Sequence, residues 1–96
     1  MKKARGKQAT NVFHALGFSP SEAENLRLRS ALMNTLIEEI ERRKLTQAQA
    51  AKHMGVTQPR VSDLMRGKLH LFSLDTLVIL LTAMGLKVEL RIRKAA

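Results

Sequence analysis

Between Gln58 and Asp63 the chain places an amide, a guanidinium, a hydroxyl and a carboxylate within six residues, on Gln58, Arg60, Ser62 and Asp63. No nucleophile stands beside a base there; these are groups that hydrogen-bond the edges of nucleobases. An amide pairs bidentately with adenine, a guanidinium donates to guanine or to a phosphate, and a hydroxyl bonds to either base type. Asp63 has two readings. It accepts from a cytosine amine, or it forms an orienting ion pair with Arg60 or Arg66, each three residues away on a helix. Lys52, Arg66 and Lys68 flank the segment and read either as phosphate clamps, which position without reading sequence, or as plain surface charge.

These side chains need a rigid carrier. Ser19-Pro20-Ser21-Glu22 combines a capping hydroxyl, a proline at the first helical position and a Glu three residues after the cap, and predicts a helix over 20–43. Leu26, Met33, Leu36, Ile37 and Ile40 line one of its sides. Three further hydroxyl caps follow, Thr46, Thr57 and Ser73, with glycine stops at Gly55, Gly67 and Gly85. They predict helices over 47–54, 58–66 and 74–84. Residues 11–16 read as a single helical turn or short arm, and 1–10 as a basic mobile tail. Residues 86–93 alternate apolar and charged side chains, the pattern of a half-buried strand.

Two short helices joined through Gly55 need a small residue where they touch, a turn residue able to adopt a left-handed conformation, and an apolar seam on the second helix. Ala51, Gly55 and the pair Val61 and Leu64 meet those needs, with Val56 as a plug after the turn. With Val61 and Leu64 facing inward, Pro59, Ser62, Asp63 and Arg66 fall on the outward face, and Gln58 and Arg60 at its exposed start.

Residues 46–67, with their Thr-Gln opening, Ala-Ala contact, Gly turn, Gln-Pro start and closing Gly, closely resemble the phage-repressor helix-turn-helix family, also called the Xre or Cro/C1 type. The resemblance implies a mainly α fold, a five-helix phage-repressor-like domain over 11–96, to which the alternation of 86–93 adds a C-terminal β-strand expected to pair in a dimer. It implies base reading by Gln58 and a phosphate contact by Gln47 at the start of the first motif helix. The residues themselves add Pro59, Arg60, Ser62 and Asp63 to the base-reading set and Lys52, Thr57, Arg66 and Lys68 to the phosphate set. The layout outside the motif is similar to HigA-like antitoxins, whose partners are RelE-like ribonuclease toxins. The partners so implied are a double-stranded DNA operator, a second copy of the chain and such a toxin. The alternative is a stand-alone phage-like repressor with no toxin partner.

Composition agrees with a polyanionic partner. The formal charge is +9, and residues 42–68 hold seven basic residues against one acidic, whereas residues 1–41 hold six against five. The positive charge is therefore concentrated around the motif. Ninety-six residues make one core and one domain. With three aromatics, all Phe, that core is aliphatic, which favours packed helices. The absence of Cys removes disulfides, thiolate chemistry and Cys-based zinc sites. His14, His53 and His70 have no metal-ligand spacing and read as exposed or rim residues. No triad, phosphate loop or carboxylate pair stands out, so the reading is a cytoplasmic non-enzyme without cofactor, metal or membrane span, meeting DNA at the bacterial nucleoid. A non-specific or RNA-binding module is the remote alternative, since basic charge alone would not need a polar reading helix.

Dimerisation is expected over 73–93. A lone strand leaves its backbone groups unpaired and cannot bury Val88, Leu90 and Ile92. On the preceding helix Leu74, Leu77, Val78, Leu81 and Met84 are expected to face the subunit core, and Ile79, Leu80 and Ala83 the second copy. The competing arrangement is an intrachain strand pair near Val12 and Phe13. The apolar cluster of Val12, Phe13, Leu16 and Phe18 reads either as a docking patch for a toxin or as a cap on the core, with Glu22, Glu24, Glu38, Glu39 and Glu41 as its acidic surroundings.

Overall fold

The computed structural model describes Phe13 and residues 15–95. The tail at 1–10, and Asn11, Val12 and His14 of the expected turn at 11–16, lie outside those residues, while Phe13 and Ala15 are helical. Among the described residues the chain forms four α-helices: α1 Pro20–Arg42, α2 Gln47–Met54, α3 Gln58–Met65 and α4 Leu74–Ala83. A single 3-10 turn, Leu69–Leu71, sits between α3 and α4.

Each α-helix begins on the hydroxyl that the sequence offers it. Ser19 caps α1 in a capping box: the Glu22 backbone N–H donates to Ser19 Oγ at 3.2 Å, and the Ser19 N–H donates to Glu22 Oε1 at 2.9 Å. Thr46, Thr57 and Ser73 accept from the third helical N–H of α2, α3 and α4 in the same way. The stops are equally local. At the end of α1 the Leu45 N–H donates to the Ile40 carbonyl and the Lys44 N–H to the Glu41 carbonyl, which puts Lys44 at a left-handed φ of 55°. A lysine occupies there the conformation that glycine holds elsewhere. At the end of α2 that position belongs to Gly55, with φ of 68°, and the Val56 N–H closes back on the Ala51 carbonyl.

α1 packs mainly along α4, and α2 against α3. One core joins them: Met33, Leu36 and Ile40 from α1, Ala50, Ala51 and Met54 from α2, Val61 and Leu64 from α3, then Phe72, with Leu77, Leu80 and Leu81 from α4 and Met84 at its C-cap. It is aliphatic apart from Phe72, as the composition requires. Ala50 and Ala51 are both buried, so small side chains let α2 approach the other helices closely. Two arginines fasten α1 at either end of α4. The Arg29 guanidinium donates to the carbonyls of Leu69 and Phe72, at 3.2 and 3.5 Å, and its Nε to Asn25 Oδ1 at 2.7 Å. Arg43 donates to Glu39 Oε2 at 2.6 Å and to the Met84 carbonyl.

Three expectations are corrected or left without support. On α4 the buried stripe is Leu77, Leu80, Leu81 and Met84, so Leu80, expected on the outer face, is only 3% exposed. Val78, expected in the core, is instead 37% exposed. The stripe is set by where α1 lies, and it is centred one residue round the helix from the apolar face read in the sequence. The strand expected at 86–93 is not formed: residues 86–95 carry no regular secondary structure among the described residues. A strand exists only through a ladder, and no other described segment offers this one a partner edge. Of the five expected helices, the first falls largely outside the described residues. Leu16 and Phe18 of the leading apolar cluster are exposed and do not cap the core, while Phe13 meets Phe18 edge-to-face at 6.0 Å between ring centres.

Candidate nucleic-acid interface

α3 is fixed to the core by Val61 and Leu64, both about 1% exposed. The opposite side of the helix is left to solvent. Gln58 and Pro59 at its start are exposed, Ser62 and Asp63 are half-buried, and Arg66 beyond its end is exposed. Thr57 orients that start, since the Arg60 backbone N–H donates to Thr57 Oγ1 at 3.3 Å. The Gln58 backbone amide of the first turn and the helix dipole give this end a positive character, with no acidic residue in the turn to offset it.

Arg60 has a different environment from its neighbours. Its guanidinium carbon lies 4.1 Å from the centre of the Phe72 ring, over a side chain that is itself 1% exposed. The stacked cation covers the aromatic floor of the core, which ties the reading helix to the segment after the 3-10 turn. Phe72 stands next to the Ser73 cap of α4, a place that by itself gives it only a local role. Nothing in the spacing of positions 60 and 72 announces the contact, because it crosses between elements.

Asp63 forms an ion pair, but with Lys68: Nζ stands 3.3 Å from Oδ1. Arg60 is committed to Phe72, and the turn after α3, closed by the Lys68 N–H on the Asp63 carbonyl at 3.1 Å, folds Lys68 back over the helix end. The partners three residues away on the helix are not used. The one carboxylate of residues 42–68 is thereby neutralised in place.

α2 supplies the second set of groups. Thr46 and Gln49 close a capping box, at 3.1 Å from the Gln49 N–H to Thr46 Oγ1 and 2.8 Å from the Thr46 N–H to Gln49 Oε1. Gln47 and Lys52 are exposed on this helix, as is Thr57 in the turn before α3. Among the described residues no group of three His, Cys, Asp or Glu side chains is placed to hold a metal ion, and no helix is long and apolar enough to cross a membrane.

Two short helices joined by a left-handed glycine, the second buried on one side and polar on the other, define a helix-turn-helix protein. Comparison with known proteins agrees. A family model described as a helix-turn-helix domain matches residues 13–93. A solved structure described as an XRE family transcriptional regulator is similar at 40% sequence identity and a TM-score of 0.72, over 77% of this chain and 83% of that one. No curated protein matches. The chain belongs to the XRE-type helix-turn-helix family.

Proposed function

We propose that the chain is a sequence-specific, DNA-binding transcription regulator that acts as a dimeric repressor, with α3 in the major groove. The observation that carries the reading is α3 itself, held by Val61 and Leu64 while its polar start faces solvent on the most basic segment of the chain. The family and the name of the similar solved structure support it. In this docking mode the N-terminal residues of the second helix meet the base edges. Gln58 is the principal reader, with Pro59 and Ser62 beside it. Gln47, Lys52, Thr57 and Arg66 hold phosphates. Arg60 acts mainly by fixing α3 through Phe72, and Asp63 with Lys68 shapes the trailing end.

The dimer face is formed by Ile79 and Ala83 on α4 and by Val88, Leu90 and Ile92 after it. Leu80 has no part in it, being buried within its own subunit. Binding to DNA from upstream of the chain's own gene tests the proposal. Nanomolar, sequence-dependent binding that survives competitor DNA is expected; equal affinity for scrambled duplexes would overturn it.

The finer reading is that the same protein is the antitoxin of a toxin-antitoxin operon and binds a RelE-like ribonuclease. Exposed Leu16 and Phe18 supply apolar docking surface. The acidic surroundings are weaker than their sequence suggests: Glu22 serves its capping box, Glu24 pairs with Arg27, and Glu39 pairs with Arg42 and Arg43. Co-expression with the adjacent gene decides between this reading and the stand-alone repressor. Co-purification and rescue of growth support the antitoxin; failure of both leaves the plain repressor.

A further inference from the structure

Beyond Gly85 the chain carries a surface that is incomplete in one copy. Leu86, Val88, Leu90 and Ile92 alternate with Lys87, Glu89, Arg91 and Arg93, so in an extended chain the apolar set shares one face and the charges the other. Leu86 and Val88 pack half-buried against the core, which anchors the start of the segment. Leu90 and Ile92 are 80% and 90% exposed. The Leu86 N–H still closes on the Leu81 carbonyl at 2.9 Å; beyond it, among the described residues, the backbone of 87–95 makes no backbone hydrogen bond. An anchored segment with one uncovered apolar face and an unpaired backbone edge calls for another strand.

We propose that this strand is the same segment of a second copy, paired antiparallel in the register that places Leu90 opposite the partner's Leu90. The inference rests on the dimer of the proposed function and specifies its contact. Two copies related by a two-fold axis across the ladder must run antiparallel, and directly opposed residues share a face. The axis can therefore pass through one residue only, and charge together with coverage of the apolar face selects which.

Centred on Glu89, the ladder opposes Glu89 to itself and Lys87 to the partner's Arg91, so like charges meet throughout. Centred on Arg91, it pairs Glu89 with the partner's Arg93 but opposes Arg91 to itself at the axis and sets Val88 against the partner's Lys94. Centred on Val88, it pairs Lys87 with the partner's Glu89 but carries Ile92 back to the partner's Met84, which is already buried at the end of α4. Centred on Leu90, it pairs Glu89 with the partner's Arg91 twice over and sets Val88 against the partner's Ile92 twice over. Both exposed apolar residues are then covered. Lys87 opposite the partner's Arg93 is a like-charge contact made twice, once at each end of the ladder, where long side chains splay into water.

The absence of cysteine from the chain makes the register readable by a single-cysteine scan of positions 88 to 92, with mild oxidation and non-reducing electrophoresis. Leu90→Cys is expected to cross-link, and Val88→Cys mixed with Ile92→Cys to give the heterodimeric product. Val88→Cys or Ile92→Cys alone is expected to stay uncross-linked, since four residues of rise separate each from its counterpart by about 13–14 Å. In parallel, Glu89→Arg should weaken the dimer at least several-fold by sedimentation, and Glu89→Arg with Arg91→Glu should restore it. In the Val88-centred register the double variant would still set Lys87 against a cation at the partner's position 89, so the dimer would not be restored. Cross-linking confined to another position overturns the register. A dimer in sedimentation that cross-links at none of the five overturns strand pairing but leaves the dimer standing. A monomer that still binds its operator overturns the dimer itself.

Discussion

At the scale of single residues, the interface divides into side chains free to meet DNA and side chains already committed. Gln58 stands exposed at the capped start of α3, with no side-chain partner among the described residues, so Gln58→Ala should weaken operator binding by about 1–3 kcal/mol and relax the preference at one base pair. Titration against operator and scrambled duplex at fixed salt checks this; equal losses on both would sink the base-reading role. Arg60 lies over Phe72, and the stacking is worth about 0.5–2 kcal/mol. Phe72→Leu and Arg60→Gln are therefore expected to be strongly non-additive in a double-mutant cycle on operator affinity, with the base preference retained in both. Asp63 holds Lys68 at 3.3 Å, so Asp63→Asn should free that cation for phosphate. The salt dependence of binding should steepen by about one charge, whereas Lys52→Ala should flatten it by about as much.

At the scale of elements, the lengths and directions of the helices come from local signals and their faces from packing. The corrected face of α4 has a direct test. Leu80→Ala should cost about 2–5 kcal/mol of subunit stability as a core cavity. Ile79→Ala, at a position 65% exposed, should cost little in the subunit and act instead through the concentration dependence of unfolding. Reversal of that order in denaturant titrations would return Leu80 to the surface. The end of α1 is sensitive to acid. The Arg42 guanidinium, and after it that of Arg43, hold the Glu39 carboxylate below the usual carboxylate range by hydrogen bonding. With its pKa lower in the folded than in the unfolded chain, Glu39 contributes stability above about pH 4.3, and this is lost as pH falls through the folded value. Glu39→Gln should flatten the acid limb of the stability profile and leave its slope near neutrality unchanged.

At the scale of the whole molecule, a dimer built on the segment after α4 would present two copies of α3 to one face of DNA. Half-sites about one helical turn apart, roughly 34 Å, are expected, and footprinting of the operator checks the spacing. Insertion of about five base pairs, half a turn, between half-sites should abolish tight binding by turning one of them to the far side of the duplex. The amino-acid sequence sets where the helices begin and end, because Ser19, Thr46, Thr57 and Ser73 and the stops after them act on backbone groups only a few residues away. It sets the motif too, since Ala51, Gly55, Val61 and Leu64 meet needs of one local crossing. Tertiary structure alone decided which side of α4 is buried, that Phe72 carries Arg60, that Asp63 turns to Lys68, and that Arg29 and Arg43 fasten α1 to both ends of α4. These contacts join residues that no local periodicity relates, and they follow from where packed helices place each side chain. The strand pattern of residues 86–93 marks the boundary between the two: its alternation is legible in one chain, but a ladder needs a second edge, which no described part of one chain supplies.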